Sequence, residues 1–400
     1  MNRTFHCFGI KPILIISLST TLGACSSGSW WSNDEPTLQV EQIKKLIPKY
    51  GQDRTSWAQD IYDVSTELDI PQTKENVCSI IAVVDQESNF NADPAVPGLG
   101  AKAVKEIDER LNQKFTDSFG EKIGSKMADY FQDTLRNQPS PENNYLSQIK
   151  KVKTERQLDE LYREIFDYMS SHYHISALTS TAKLFGQDFG EKLNPITTLG
   201  SMQVHISYAK DNKRQSGDIA ALRTDLYSQY GGLYYGIHRL MMYPADYDQA
   251  IYRFADYNSG IYSSRNAAFQ KMLNELTDAN LTLDGDLLIY DKDGAVRSNQ
   301  SASENELITL FTRYNVVVTP RQIRADLKKE KEKKFEETAT YLNLVKIYEE
   351  KTQKKAIYAI MPEVVISGPK LSREYNTNWF ASRVNGRYET CMRKAKKIKI

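Results

Sequence analysis

Of 400 residues only four are cysteine, five histidine and four tryptophan. The charges nearly cancel, with 52 Lys and Arg against 51 Asp and Glu. A chain without a field of one sign has no means of wrapping nucleic acid, so none is expected as a partner. There is no His-Glu-x-x-His and no phosphate-loop glycine pattern, so no metal and no cofactor is expected. The histidines (His6, His172, His174, His205, His238) carry no supporting ligands, and His172 and His174, two apart, do not share a helix face. Beyond the extreme N-terminus there is no membrane-like run, and mean hydropathy is −0.55, which excludes a polytopic membrane protein. Apolar residues at 40 % and charged residues at 26 % exclude wholesale disorder. The length is too great for one compact core. Tyrosine is abundant, with 24 copies, and its flat face and hydroxyl suit sugars and ordinary cores alike.

Arg3 and Lys11 flank a short apolar run, Pro12 to Leu22, that leads into Leu22-Gly23-Ala24-Cys25. This reads as a signal peptide over 1–24, too short to span a bilayer. Leu-Gly-Ala-Cys resembles the bacterial lipoprotein processing box, which implies cleavage before Cys25 and lipidation of that residue. Ser26 stands where an inner-membrane retention signal would place Asp. By that analogy the protein is held at the outer membrane, facing the periplasm, with 25–38 as a tether. Losing 1–24 leaves 50 basic and 51 acidic side chains, a net charge of −1. Cys7 leaves with the signal and Cys25 carries lipid. Cys78 and Cys391 then remain in an oxidising compartment and are expected to bridge, the alternative being two separate thiols.

Helical periodicity dominates, so the expected class is mainly α. Helices are expected over 39–50, 54–68 and 74–88, a loop over 91–100, and a polar helical stretch over 101–195 broken at Pro139 and Pro141. A short non-helical segment surrounds Gly200. Helices follow at about 216–243, 246–257 and 263–277. The C-terminal extension, 281–400, carries a small hairpin near 287–296. A capping box of Ser303 and Glu306 opens a helix to Tyr314, and another helix runs from Thr319 to about Lys354. The Lys/Glu run 328–337 reads as a solvated helix face, and the terminal lysines as a solvated tail.

Three segments could carry chemistry. Val77, Ile80, Ile81 and Val84 form one helix stripe that ends on Glu87 and Ser88, while Asp85 falls roughly 200° round the helix from Glu87. A carboxyl at the end of an apolar stripe is pushed toward its neutral form, as a general acid requires. Thr198-Leu-Gly-Ser-Met-Gln-Val204 offers close backbone approach at Gly200 and a donor–acceptor amide at Gln203. Tyr257-Asn258 end a helix before Gly260. Each segment alone reads equally as ordinary helix ends and turns.

In order, Glu-Ser-x-Phe, Gly-x-Met-Gln and Tyr-Asn-x-Gly resemble the soluble lytic transglycosylases of the lysozyme-like superfamily, as does Gly232-Leu-Tyr-Tyr-Gly-Ile-His-Arg-Leu240. The resemblance covers about 70–275 and implies a lysozyme-like domain over 39–280 with a helical insertion at about 101–195. It implies Glu87 as catalytic acid and base, with Ser88, Met202, Gln203, Tyr257 and Asn258 on the substrate, Tyr257 also bonding the glutamate. Ser201, Asp256 and Ser259 depart from the family pattern. About 115 residues separate Glu87 from Gln203, far more than the family needs.

The implied reaction cuts the β-1,4 bond next to N-acetylmuramic acid in peptidoglycan and closes a 1,6-anhydro ring. One carboxyl suffices, unlike the two-carboxylate hydrolases. The alternatives are a non-catalytic binder of glycan or of an envelope protein on the same fold, and a true hydrolase. A protein partner could dock on 101–195 or 281–400.

Overall fold

The computed structural model describes residues 35–172, 191, 194–291, 294–366 and 375–399. The signal peptide, Cys25, most of the tether and 173–190 of the insertion lie outside the described residues. The protein is mainly helical, with two short antiparallel β-pairs among the described residues. Among the described residues no helix is long and apolar enough to cross a membrane.

Two short helices, α1 (Val40–Leu46) and α2 (Arg54–Glu67), pair with each other and lead into α3 (Lys74–Ser88). Thr73 caps α3, its hydroxyl accepting from the Asn76 amide at 3.2 Å, and Asn89 in the left-handed region stops it. The expected stripe is buried, and so is every residue from Asn76 to Asp85. The unbroken run Ile80-Ile-Ala-Val-Val84 leaves no polar face, so α3 must be covered on all sides.

The last cover comes from the far end of the chain. Helix α16 (Thr377–Ala395) packs against α3 and against α11 (Ala250–Ser259). Cys78 and Cys391 form a disulfide with their Cα atoms 5.5 Å apart, as the cysteine count leads one to expect. The terminal lysines are not a free tail: the Ile398 carbonyl accepts from Lys74 Nζ at 3.1 Å and the Lys399 carbonyl from Gln42 at 2.9 Å.

The stretch 101–195 shares this core. Its helices α4 (Leu99–Phe119), α5 (Glu121–Asn137), α6 (Tyr145–Lys151) and α7 (Glu155–His172) bury Phe115, Phe131 and Ile165 in the same apolar cluster as Val77 and Ile80. Asp159 of α7 and Arg223 of α9 (Ile219–Leu226) pair at 2.7 Å, both fully buried. Asn194 donates to Asp159, and the Ile196 carbonyl and Glu191 accept from Arg223, so the buried charges are surrounded by partners. Between α7 and α9 lie a two-residue hairpin, β1 (Thr198–Leu199) with β2 (Val204–His205), and the short α8 (Ile206–Asp211). The expected single helix 216–243 is two, α9 and α10 (Gln229–Met241), because the Ser228 hydroxyl caps a new start at Gly231.

A second apolar core is built from α12 (Ser263–Thr277), α13 (Ala302–Arg313), α14 (Pro320–Leu327) and α15 (Ala339–Thr352) around Phe269, Leu310, Phe311 and Leu344. The 281–400 extension is thus divided: its middle makes this core and its last helix closes the first. The cap of α13 is Ser301, two residues before the expected one, with Glu304 as the amide donor. The helix expected to run from 319 to 354 breaks at Leu327 and restarts at Ala339. The Lys/Glu run in between is not a solvated face. Glu330 and Phe335 are fully buried there, and the Glu330 carboxylate accepts from the Leu287 amide at 2.6 Å and from the Tyr290 hydroxyl.

Candidate functional site

Glu87 sits half-buried in the last turn of α3, one residue before the buried Ser88, whose hydroxyl donates to the Val84 carbonyl at 3.1 Å. The Ser88 side chain is therefore spent inside its own helix. Asp85 lies on another side of α3, as the helical wheel requires. It accepts from the Tyr50 hydroxyl at 2.6 Å and pairs with Arg387 of α16 at 3.1 Å.

The second segment is the turn of the β1–β2 hairpin. Gly200 adopts φ 78°, and a Cβ there would lie 2.3 Å from the Leu226 carbonyl oxygen and 3.1 Å from the Gly232 Cα. Only glycine fits this approach. Met202 is fully buried, with its side chain seated on α10 where a Cβ at Gly236 would strike its sulfur at 2.3 Å. Its side chain packs the core. The Gln203 amide is held internally: Thr198 donates to its oxygen at 3.0 Å, and its nitrogen donates to the Gly200 carbonyl at 3.2 Å and to Glu155 at 3.3 Å. Glu155 opens α7, so the insertion reaches this segment directly.

Tyr257, in the last turns of α11, is buried and donates its phenolic proton to the Met202 carbonyl at 2.7 Å. That bond joins the second and third segments. Burial drives the Tyr257 pKa far upward, the Arg239 guanidinium opposes the shift, and the negative charge of Glu87 adds to it. Glu87 and Tyr257 are thus within electrostatic reach. The phenol has one proton and gives it to Met202, so toward a carboxyl it presents only lone pairs. The Asn258 Oδ1 is buried with no hydrogen-bond partner, an unspent acceptor beside this cluster.

Arg239 of α10, inside the Gly232–Leu240 stretch, is the part of the site to which motif reading gave no role. It donates to the Tyr257 carbonyl at 3.0 and 3.2 Å and stacks over the Tyr257 ring at 5.5 Å and the Tyr208 ring at 5.3 Å. Among the described residues no carboxylate pairs with it. The Tyr208 hydroxyl lies 2.7 Å from His238 Nδ1. Burial lowers the His238 pKa and raises that of Tyr208, so both partners of this hydrogen bond are held toward their neutral forms. Tyr230, Tyr234 and His238 follow one face of α10 at intervals of four, and Arg214 stacks over the first two at 5.2 and 5.8 Å. That spacing was the legible signal. His205 is exposed, its Nδ1 2.7 Å from Ser207 Oγ, and desolvation with the nearby Arg239 lowers its pKa.

Asp256 is excluded from chemistry. It is fully buried and accepts from Tyr247 at 2.6 Å, the Tyr262 amide at 3.0 Å, Ser263 at 3.0 Å and the Ser264 amide at 2.8 Å. Burial raises its pKa, while these donors at the start of α12 pull it back. It locks α11 to α12. Among the described residues no group of three His, Cys, Asp or Glu is arranged to hold a metal ion.

The sequence profile of the family described as "Protein of unknown function (DUF1615)" matches residues 51–394, most of the chain. The chain belongs to the DUF1615 family. It is also 32 % identical over 395 residues to the uncharacterized protein YaiW of Escherichia coli strain K12, covering 96 % of this chain and 99 % of that one. The family match spans most of the first core, the second core and nearly all of the closing helix α16. No solved structure matches.

Proposed function

We propose that this DUF1615 protein is a peptidoglycan lytic transglycosylase with Glu87 as general acid and then general base. The observation that carries the reading is that the charge of Glu87 acts on Tyr257, residues from segments 170 positions apart, with Tyr257 in turn fixed to Met202 of the middle segment. Glu87 would give its proton to the glycosidic oxygen as the bond from the N-acetylmuramic acid C1 breaks. The carboxylate then takes the proton of the same sugar's C6 hydroxyl, whose oxygen closes onto C1. No second carboxylate is needed, and the two nearest in sequence to the site segments, Asp85 and Asp256, are both engaged in structural bonds. Arg239 and the tyrosines of α8 and α10 supply the flat faces and donors a sugar chain binds. Lipidation of Cys25 at the outer membrane, facing the periplasm, would put this lobe within reach of the wall.

A second reading is favoured by one specific observation. Ser88, Met202 and Gln203 all direct their side chains or polar groups inward, so three of the expected substrate contacts are made within the protein. That fits a protein that binds glycan or an envelope protein on this fold without cutting it. Incubation of the purified chain with sacculi separates the two. Release of anhydro-muropeptides by the wild type and not by Glu87→Gln supports the enzyme. Co-sedimentation with no released product establishes the binder, and reducing-end products establish a hydrolase.

A further inference from the structure

A cavity of about 490 Å³ lies on the opposite side of α3 from Glu87, between α1, α3 and α16. Its volume falls in the range of roughly 300–1,000 Å³ typical of small-molecule sites. Leu46, Pro48 and Ile81 and the bridged Cys391 give it apolar walls. The polar lining is unbalanced. Asp85, its carboxylate, is already satisfied by the Tyr50 hydroxyl and by Arg387. Arg383 and Lys394 line the same cavity, are exposed, and pair with no carboxylate among the described residues. Positions 383, 387 and 394 recur at helical spacing, so the cations form one ridge along α16.

Gly386 sits among them in the interior of α16. A glycine inside a helix is destabilising relative to alanine. Packing gives no reason for it, since a Cβ there would meet nothing within 4 Å. Its effect is to leave open the wall of this cavity between Arg383 and Arg387.

We propose that this cavity is a binding site for a small organic anion, a carboxylate or phosphate carried on an apolar body. The oxyanion sits on the cationic ridge of α16, and the body lies on Leu46, Pro48 and Ile81. Arginine offers the planar fork that such oxygens take in pairs. The site is independent of the Glu87 chemistry, because its residues come from another face of α3 and from α16.

The test is calorimetric titration of the purified full-length chain at low ionic strength with two probes. One is octanoate, which carries a carboxylate on an apolar chain and no phosphate. The other is dihexanoyl phosphatidic acid below its micellar concentration. One probe or both is expected to bind one to one, weakening as salt rises. The probe that binds identifies the source of the anion. Gly386→Leu, which fills the cavity with a better helix former, is expected to weaken binding at least tenfold while the melting temperature does not fall. The double variant Arg383→Gln, Lys394→Gln is expected to do the same by removing charge. Glu87→Gln should bind as the wild type does, whatever becomes of the transglycosylase reading. Binding of neither probe, or binding that both the filled and the neutralised variants retain, overturns the proposal.

Discussion

The two cores are held by different means. The first draws on residues from Leu38 to Tyr257, and its last wall, α16, arrives from the end of the chain and is bolted on by the Cys78–Cys391 disulfide across a sequence separation of 313. The second is assembled from consecutive elements between Phe269 and Tyr348 and has no cross-link among the described residues. Its connections are pinned by buried carboxylates instead: Glu330 on Leu287 and Tyr290, and Asp326 on the Thr340 amide and hydroxyl. The difference teaches where function can sit. In the second core the buried polar groups are consumed in holding loops. In the first, beside the helix that the covalent strap holds, the Asn258 oxygen is buried without a hydrogen-bond partner and Arg239 pairs with no carboxylate among the described residues.

The comparison breaks first at Glu87. If that carboxyl is chemical and the second core's are structural, Glu87→Gln should lower release of anhydro-muropeptides by about 10²- to 10⁴-fold or more with little change in melting temperature. Asp256→Asn should do the reverse, losing stability through the unpaired donors of Tyr247, Tyr262 and Ser264. Calorimetry beside the product assay reads both.

The strap comes next. Cys78→Ala with Cys391→Ala is expected to cost about 2–5 kcal/mol in the first core. The part of an unfolding curve that reports the second core, followed by hydrogen exchange at α13 and α15, should move much less.

The buried carboxylates sharpen the contrast through pH. Burial lifts the Glu330 pKa from 4.5 to about 7. An acid with a folded pKa above its unfolded one binds more protons when folded between those values, so stability falls as pH rises from about 4.5 to 7. At about 1.4 kcal/mol per unit the loss is on the order of 3 kcal/mol. Glu330→Gln should flatten that slope in denaturant titrations at a series of pH values, and Glu330→Ala should destabilise at all of them. The smallest effect is expected at Gly386→Ala, which should stabilise α16 by about 0.5–1 kcal/mol, read as a rise in midpoint denaturant concentration.

The local grammar was legible. The α3 boundaries, the stop at Asn89, the loop before α4 and the extended turn around Gly200 follow from caps, apolar spacing and glycine. The cysteine pairing followed from subtraction, since two thiols remained for one bridge. What failed was reading polarity as exposure. The run 328–337 is charged, yet Glu330 goes inside, because the Leu287 amide and the Tyr290 hydroxyl need an acceptor there. The insertion reads as polar helices and still buries Phe115 and Phe131 in the main core. Met202 and Ser88 carried motif positions, but their side chains face inward. Arg239 lies in the Gly232–Leu240 stretch without an expected role, and its place between Tyr208 and Tyr257 depends on how α8, α10 and α11 meet.

By itself the sequence determined that the chain is helical, where helices such as α2, α3 and α12 begin and end, and that Glu87 and Asp85 leave α3 in different directions. Those are properties of neighbours three and four residues apart, fixed by backbone geometry. Only the tertiary structure decided that α16 returns to cover α3, that Tyr257 spends its proton on Met202, and that Gln203 meets Glu155 of the insertion. These contacts join residues tens to hundreds of positions apart. Which of many compatible surfaces come together is set by the packing of the whole core and by the need to pair every buried polar group.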